Sequence, residues 1–150
     1  FVANACAKLR AQGSHAALIQ VSLHTNRFRK DLPQYNPCFA VPLPQPTSDS
    51  RLVNRWAGYL VERLFKPEYE YKKAGIMLGE ITPASLHQSD WLEPTQTTDT
   101  RLMDALDGLN SKFGRGTVKV STQGAFKQWQ MKQERKSPSY TTDWASVPSV

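Results

Sequence analysis

Two groups of cationic residues have the spacing needed to bind a polyanion. The first is Arg27, Arg29 and Lys30, which follow a predicted strand, and the second is the Lys72-Lys73 pair, which begins another. Long cationic side chains at strand ends can contact successive phosphates, and turns and sheet edges add backbone N–H donors. A lone Lys-Lys pair is better explained as a solvated surface. The prediction of nucleic-acid binding therefore rests on two groups meeting at one sheet edge.

The charge is unevenly distributed along the 150 residues. The net charge is +6, with a basic excess in residues 1–83 and 112–136 and an acidic excess in residues 84–111. A basic chain suits a polyanionic partner without requiring one. Hydrophobic residues make up 39% of the chain, a modest share for a compact domain. We therefore expect distinct tasks along the chain and some extended or loosely packed parts.

A second pattern lies in a polar segment rich in threonine and proline, residues 82–97, which we interpret as a tether. Within it, Gln88, Ser89 and Asp90 precede Trp91 and Leu92. A glutamine that anchors by hydrogen bonds, followed by two large apolar side chains that fill a pocket, is typical of a peptide ligand. The alternative is that Trp91 and Leu92 fold back onto the domain itself.

No catalytic or metal-binding pattern emerges from the remaining polar residues. His15, His24 and His87 are scattered, without the spacing of a metal site. Asp104 and Asp107 share a helix face, which usually means a solvated face. The turn Gly114-Arg115-Gly116 lacks the lysine of a phosphate-binding loop. We predict no cofactor and no enzyme activity for this segment, although a small nuclease or transferase would need only an unexpected convergence of such residues.

The cysteines and the apolar segments indicate the cellular compartment of the protein. Cys6 and Cys38 fall on a predicted helix and strand, where buried thiols are expected rather than a disulfide. No apolar segment approaches membrane-spanning length, and no signal peptide opens the chain. A cytoplasmic protein is expected. Because Phe1 begins within a helical pattern and no methionine precedes it, we also expect a fragment of something longer.

The hydrophobic periodicity predicts an α+β fold with two helices on one face of a sheet. Gly13 should end the first helix, and Pro67 should close the second, which is capped within residues 47–49. The prolines at 42, 44 and 46 should end the second strand at Val41, because proline cannot donate to a sheet. The predicted elements are helix 1–12, strand 15–25, strand 38–41, helix 51–65, a strand within 69–81, helix 99–113 and strand 117–121.

Four ordered segments together resemble one protein family. The chain resembles the C-terminal part of Y-family translesion DNA polymerases of the UmuC type, the catalytic subunit of DNA polymerase V. The segments are 71–79 (YKKAGIMLG), 107–117 (DGLNSKFGRGT), 128–132 (QWQMK) and 137–142 (SPSYTT). They span most of the chain, and it is their shared order that makes the resemblance specific.

The resemblance implies three units and a set of binding residues. Residues 1–83 would be the little finger domain, a ferredoxin-like β-α-β-β-α-β unit whose first strand is missing here and whose sheet lies along template–primer DNA. Residues 84–97 would be a linker, and residues 98–150 a small helical or irregular C-terminal extension specific to the UmuC type. The resemblance assigns phosphate contacts to two strand ends: Thr25, Asn26 and Arg27, and Lys72, Lys73 and Ala74.

The resemblance also implies partners. In the family, the linker binds the sliding clamp; Gln88, Ser89, Asp90, Trp91 and Leu92 align with that motif, with Trp and Leu replacing the more usual Leu and Phe. The extension would contact the processed UmuD dimer and the recombinase filament. The Mg²⁺-binding carboxylates belong to the palm domain of the parent polymerase, which this segment does not include.

Two functions are therefore compared below. The first is a non-catalytic module that grips template–primer DNA and docks the polymerase on the sliding clamp during SOS mutagenesis. The second is a protein-interaction module without intrinsic DNA binding.

A ferredoxin-like strand order puts the missing first strand at the centre of the sheet. We therefore expect residues 117–121, or another copy of the chain, to fill that gap.

Overall fold

The computed structural model describes residues 1–86, 100–124 and 145. Its helices are α1 (Val2–Ala11), α2 (Ser50–Leu64) and α3 (Thr100–Phe113), with a 3₁₀ turn at Ser121–Gln123. Its strands are β1 (Ser14–Thr25), β2 (Cys38–Thr47) and β3 (Tyr71–Pro83). The strands form one antiparallel sheet in the order β2-β1-β3. The predicted α+β class is confirmed, and it is consistent with a little finger domain.

Both α1 and α2 pack on the same face of this sheet. Ile19 and Val21 of β1 are buried against them, with Cys6 of α1 and Val53 and Leu60 of α2 in the same cluster. Since side chains alternate between the two faces of a strand, residues 18, 20, 22 and 24 of β1 lie on the opposite face. The described residues place no helix on that side, which we call the open face.

Local sequence explains where the two helices begin and end. Gly13 adopts the left-handed conformation (φ 64°) and its N–H donates to the Arg10 carbonyl, which ends α1 as predicted. Asp49 caps α2 by accepting a hydrogen bond from the Arg51 N–H at 2.8 Å, as its position within residues 47–49 predicted. Along α2, the buried stripe consists of Val53, Ala57 and Leu60, whereas Val61 is 37% exposed.

The prediction that prolines end the second strand at Val41 is wrong. β2 continues to Thr47 through Pro42, Pro44 and Pro46. It is an edge strand, and its register with β1 jumps between Leu18–Pro42 and Ala16–Thr47. Proline is tolerated at a sheet edge and in a bulge, since neither position requires an inward N–H donor. β3 also ends later than predicted, at Pro83, inside the segment that we interpreted as a tether.

The expectation of a gap in the sheet is also wrong. β1 is central and pairs directly with both β2 and β3, so no strand position between them is vacant. Residues 117–121 do not form a strand in the structure. The side-chain amide of Asn110 satisfies both backbone groups of Val118, accepting from its N–H at 2.9 Å and donating to its carbonyl at 3.0 Å. This segment is therefore held by α3 and adds nothing to the sheet.

Two further expectations are corrected by the packing of single side chains. Cys6 is buried as predicted, whereas Cys38 is exposed, because it lies at the start of an edge strand. Asp107 does not simply face solvent: its carboxylate accepts two hydrogen bonds from Arg10. Along the described part of the chain, no helix has the length and apolarity to cross a membrane.

Candidate nucleic-acid interface

The register of β1 with β3 brings the two predicted cation groups to one end of the sheet. His24 is the register partner of Lys73, and Thr25 is the partner of Tyr71. Arg27, Arg29 and Lys30 follow in the β1–β2 loop immediately beyond. We call the segment 27–30 together with Lys72 and Lys73 the basic edge. Its two parts come from chain positions more than forty residues apart, as the sequence analysis anticipated.

A direct contact joins the two parts of the basic edge. The Lys72 ammonium lies 5.8 Å from the centroid of the Phe28 ring, which stands between Arg27 and Arg29. The structure therefore places the Lys72 side chain against the loop itself. Lys73 is exposed one residue further along, on the open face beside His24.

The cations of the basic edge differ in availability. Arg29 is bound to Asp31 by hydrogen bonds of 2.7 to 3.1 Å, and this contact, more than the nearby Glu70, raises the pKa of the Arg29 guanidinium. Among the described residues, Arg27, Lys30, Lys72 and Lys73 form no ion pair. The Arg29–Asp31 pair is solvent-exposed, with 54% and 59% of the two side chains accessible, and such pairs are weak enough for a phosphate to compete for the arginine.

Thr25 and Asn26 shape the loop through internal bonds. Thr25 is only 5% exposed; its N–H donates to Asn36 Oδ1, and its hydroxyl donates to Gln34 Oε1. Asn26 Oδ1 accepts from the Phe28 N–H, and the Asn26 carbonyl accepts from the Arg29 N–H. In this conformation their polar groups position the neighbouring cations. Ala74, the remaining residue of the implied set, is exposed at the register position of Leu23.

Gln34 is the residue that sequence reasoning missed. Its amide nitrogen donates to the carbonyl oxygens of Asn26, Arg29 and Leu32 at 3.1, 2.8 and 3.1 Å. One side chain thus fastens the loop on the inside of its curve. A glutamine nine residues after a strand carries no recognisable signal of its own, because the bonds exist only once the loop has closed.

The open face next to the basic edge is lined by small side chains. Ser22 lies in register with Cys38 on one side and Gly75 on the other. A Cβ atom at Gly75 would come within 2.9 Å of Ser22 Oγ, so a larger residue there would require the Ser22 hydroxyl to move.

A cluster of aromatic rings supports the basic edge from the side of α2. Tyr71 packs on Phe65 with ring centroids 5.4 Å apart, and its hydroxyl accepts a hydrogen bond from the Lys66 N–H. Tyr35 packs on Tyr69 at 4.8 Å, and the Lys66 ammonium lies 4.6 Å from the Tyr35 centroid. These contacts tie the β1–β2 loop to the turn before β3. They therefore fix the spacing between the two cation groups.

The linker begins at the other end of the sheet. The Ala84 N–H donates to the Gly13 carbonyl at 2.8 Å, which holds the end of β3 beside the end of α1. At about 3.3 Å per residue, the strand between Lys73 and Pro83 spans about 33 Å. Gln88, Ser89, Asp90, Trp91 and Leu92 lie outside the described residues, so their assignment as a clamp-binding motif stays a prediction.

No metal site is formed by the part of the chain that the structure describes. Nowhere among those residues do three or more His, Cys, Asp or Glu side chains come together as potential ligands. The donor set therefore does not fit the paired Mg²⁺ ions of a polymerase centre. We derive no catalytic step from these residues.

Comparison with known protein families agrees with this architecture. Residues 1–91 match the family described as the impB/mucB/samB family C-terminal domain. Residues 100–150 match a domain of unknown function, DUF4113. The boundary between the matches falls at the segment between β3 and α3. The first match covers more than half of the chain.

Individual relatives match along almost the whole chain. Protein UmuC of Salmonella typhimurium is 33% identical over 152 residues, covering 100% of this chain and 36% of the relative. Protein ImpB and protein SamB, both of Salmonella typhimurium, are 32% and 33% identical, covering 99% and 97% of this chain and 35% of each relative. The chain thus spans about a third of the length of these relatives. It belongs to the impB/mucB/samB family and carries the C-terminal domain of UmuC-type proteins.

Proposed function

We propose that this chain grips the sugar–phosphate backbone of template–primer DNA for a translesion polymerase of the UmuC type. The basic edge supplies the cations, and the open face provides a surface along which a duplex can lie. Binding of this kind is independent of sequence, because the contacts are to phosphates and not to base edges.

The observation that carries the proposal is the joining of two remote cation groups at one end of one sheet. Lys72 contacts the loop at Phe28, and Lys73 is in register with His24. A solvated lysine-rich face would need no such convergence. Nor would it need a loop fastened by three hydrogen bonds from Gln34.

The packing of the helices on the sheet also favours the open face as the DNA-binding face. α1 and α2 cover one face of the sheet, so a duplex can approach only the other. On that other face, Ser22, Cys38 and Gly75 are small enough to let a bulky backbone come close. The cations at the basic edge then lie at the rim of a low surface rather than behind projecting side chains.

A salt series tests this grip. Fluorescence anisotropy with a labelled primer–template should show log affinity falling linearly with log salt concentration, at a slope of about −0.9 per phosphate contacted. Changing Lys72 and Lys73 together to Glu should weaken binding to all sequences about equally. It should also make the slope shallower by roughly two contacts.

A charge-matched control separates a local grip from a general effect of net charge. Lys8 and Lys112 are exposed and lie on α1 and α3, away from the basic edge. Changing both to Glu alters the net charge by the same amount and should leave affinity much closer to that of the original chain. Equal losses in the two double variants would reject the basic edge as the DNA site and favour the protein-interaction module without intrinsic DNA binding.

We further propose that the linker docks the polymerase on the sliding clamp through Gln88, Ser89, Asp90, Trp91 and Leu92. The linker leaves the sheet about 33 Å from Lys73, far enough for DNA and clamp to be bound at once. Gln88→Ala together with Trp91→Ala should abolish clamp binding and leave DNA affinity unchanged. Loss of both activities would mean that the segment packs on the domain, the alternative that its apolar pair allows.

We extend the proposal to the longer parent protein. We assign nucleotide transfer and its Mg²⁺ ions to a palm domain of the parent polymerase, which would act in SOS mutagenesis and DNA damage tolerance in the bacterial cytoplasm, at the nucleoid. Contacts with the processed UmuD dimer and the recombinase filament are assigned to residues 98–150. Pull-down of these two partners with and without residues 98–150 tests that assignment.

A further inference from the structure

Phe28 is the most exposed large apolar side chain among the described residues. It is 90% exposed, compared with 79% for Phe1 and 61% for Phe113. Phe28 lies in the turn of residues 26–29 within the β1–β2 loop, between the cations of the basic edge. A phosphate grip alone gives no reason for a bare aromatic ring at this position.

The backbone turn that carries the ring is held in place by hydrogen bonds. A hydrogen bond from the Arg29 N–H to the Asn26 carbonyl closes the turn at 3.0 Å, and the Phe28 N–H donates to Asn26 Oδ1 at 3.3 Å. Gln34 fastens both sides of this turn from within. A ligand that contacts the ring therefore has little loop entropy to remove, which favours affinity.

The surroundings of the ring indicate the chemistry of its ligand. The Lys72 ammonium is 5.8 Å from the ring centroid, and Arg27 and Lys30 are exposed nearby without ion pairs among the described residues. If the ligand were an apolar protein surface, these cations would gain no partner of opposite charge. A nucleotide supplies both parts at once: a flat π face for the ring and a phosphate for the cations.

The state of the base can also be specified. Bases in a duplex are already stacked on their neighbours, so a protruding ring gains little from them unless it forces a step open. An unpaired base has a free face, and stacking on an aromatic side chain is tolerant of sequence. We propose that Phe28 is a stacking site for an unpaired nucleobase at the border of the duplex held by the basic edge; this inference rests on the DNA grip proposed above.

The test compares single-stranded with duplex DNA on the full chain of 150 residues. One probe is a twelve-residue thymidine oligomer with 2-aminopurine at its centre, whose fluorescence changes on stacking; the other is the same strand in duplex form. Phe28→Ala should lower affinity for the single strand about tenfold and remove the fluorescence change. Affinity for the duplex should fall by a clearly smaller factor, because there only the contact between Phe28 and Lys72 is lost. Phe28→Trp should retain the single-strand affinity and the fluorescence change.

Phe113 provides a matched control because it is also exposed and also carries a lysine, with Lys112 Nζ 5.4 Å from its ring centroid. Phe113→Ala should leave both affinities unchanged. An unaltered single-strand affinity in Phe28→Ala, or an equal loss on both probes, overturns the stacking site while leaving the phosphate grip intact. If the original chain binds neither probe in a salt-dependent way, the grip and the stacking site fall together. Equal circular dichroism spectra establish that the variants fold alike.

Discussion

Arg10 and Asp107 are joined by two hydrogen bonds of 2.6 and 2.8 Å across 97 residues of sequence. The Arg10 side chain is 10% exposed and also donates to the Ser48 carbonyl and to Ser50 Oγ. One guanidinium thus connects α1, the start of α2 and α3. This contact attaches α3, and with it the start of the DUF4113 match, to the sheet domain.

Asp107→Asn is expected to loosen that attachment. Arg10 would lose a charged acceptor while staying mostly buried, and Asp107 itself is about one-third exposed. A loss of about 1 to 2 kcal/mol in the free energy of unfolding is therefore expected. Urea denaturation measures it, and hydrogen exchange should show α3 losing protection first. Asp104→Asn, on the same helix without an ion pair among the described residues, is the control; a similar loss there would contradict the role of Arg10.

Gln34→Ala is expected to disorder the basic edge without unfolding the domain. The three carbonyls that Gln34 holds would return to water, and the loop that carries Arg27 and Lys30 would have to be ordered upon binding. DNA affinity should fall roughly threefold to tenfold, and the amide protons of Phe28 and Arg29 should exchange faster. Gln12→Ala, at the exposed end of α1, should change neither quantity. Normal protection of the loop in Gln34→Ala would show that other contacts suffice to hold it.

Hydrophobic period and turn residues were enough to predict the sheet domain. α1, β1, α2 and β3 were all expected close to where they lie, since each buries an apolar face within a short stretch of chain. The convergence of the two cation groups was also accessible, because neighbouring strands bring their ends together. The correct predictions therefore depended only on local sequence and on the pairing of one strand with its neighbour.

The errors arose where a distant contact decides the local structure. β2 continues through Pro42 because β2 is at an edge, a fact that belongs to the strand order and not to residues 38–47. Val118 adopts no strand because Asn110 takes both of its backbone groups. Gln34 and Asp107 gain their roles from partners that only the closed fold supplies. Side-chain to backbone bonds leave no periodic trace in a sequence.

The two cysteines should differ sharply in reactivity. Burial, more than any other influence, raises the pKa of the Cys6 thiol to about 11, whereas Cys38 is exposed. Because the thiolate is the reactive species, a disulfide reagent at about pH 8 should modify one thiol rapidly in the folded protein and two after denaturation. Cys38→Ser should remove the rapid reaction. Rapid modification of two thiols in the native state would contradict the packing of α1.

The free energy of unfolding should decrease as the pH is lowered, because the Asp49 carboxylate becomes protonated. Burial acts to raise the pKa of its carboxyl group, but hydrogen bonds from Arg51 outweigh this and hold the pKa below its ordinary value of 3.8. The stabilisation is therefore complete above about pH 4 and is lost as the pH falls through the lower, folded-state pKa. Asp49→Asn should cost about 1 kcal/mol at pH 7, and much less at about pH 3. Urea denaturation at the two pH values decides it, and a gap that does not change with pH would show that charge plays no part.

Cys38 also reports on where DNA lies. It is in register with Ser22 on the open face, on the side of the sheet that α1 and α2 leave uncovered. If a duplex rests on this face, saturating DNA should slow the reaction of Cys38 with maleimide at low salt, and the protection should vanish at about 1 M salt, where phosphate contacts are screened. The double change of Lys72 and Lys73 to Glu should remove the protection at low salt too. The Lys8 and Lys112 double variant should retain it. Protection that survives high salt would mean an apolar contact at Cys38, and no protection would place the duplex elsewhere on the basic edge.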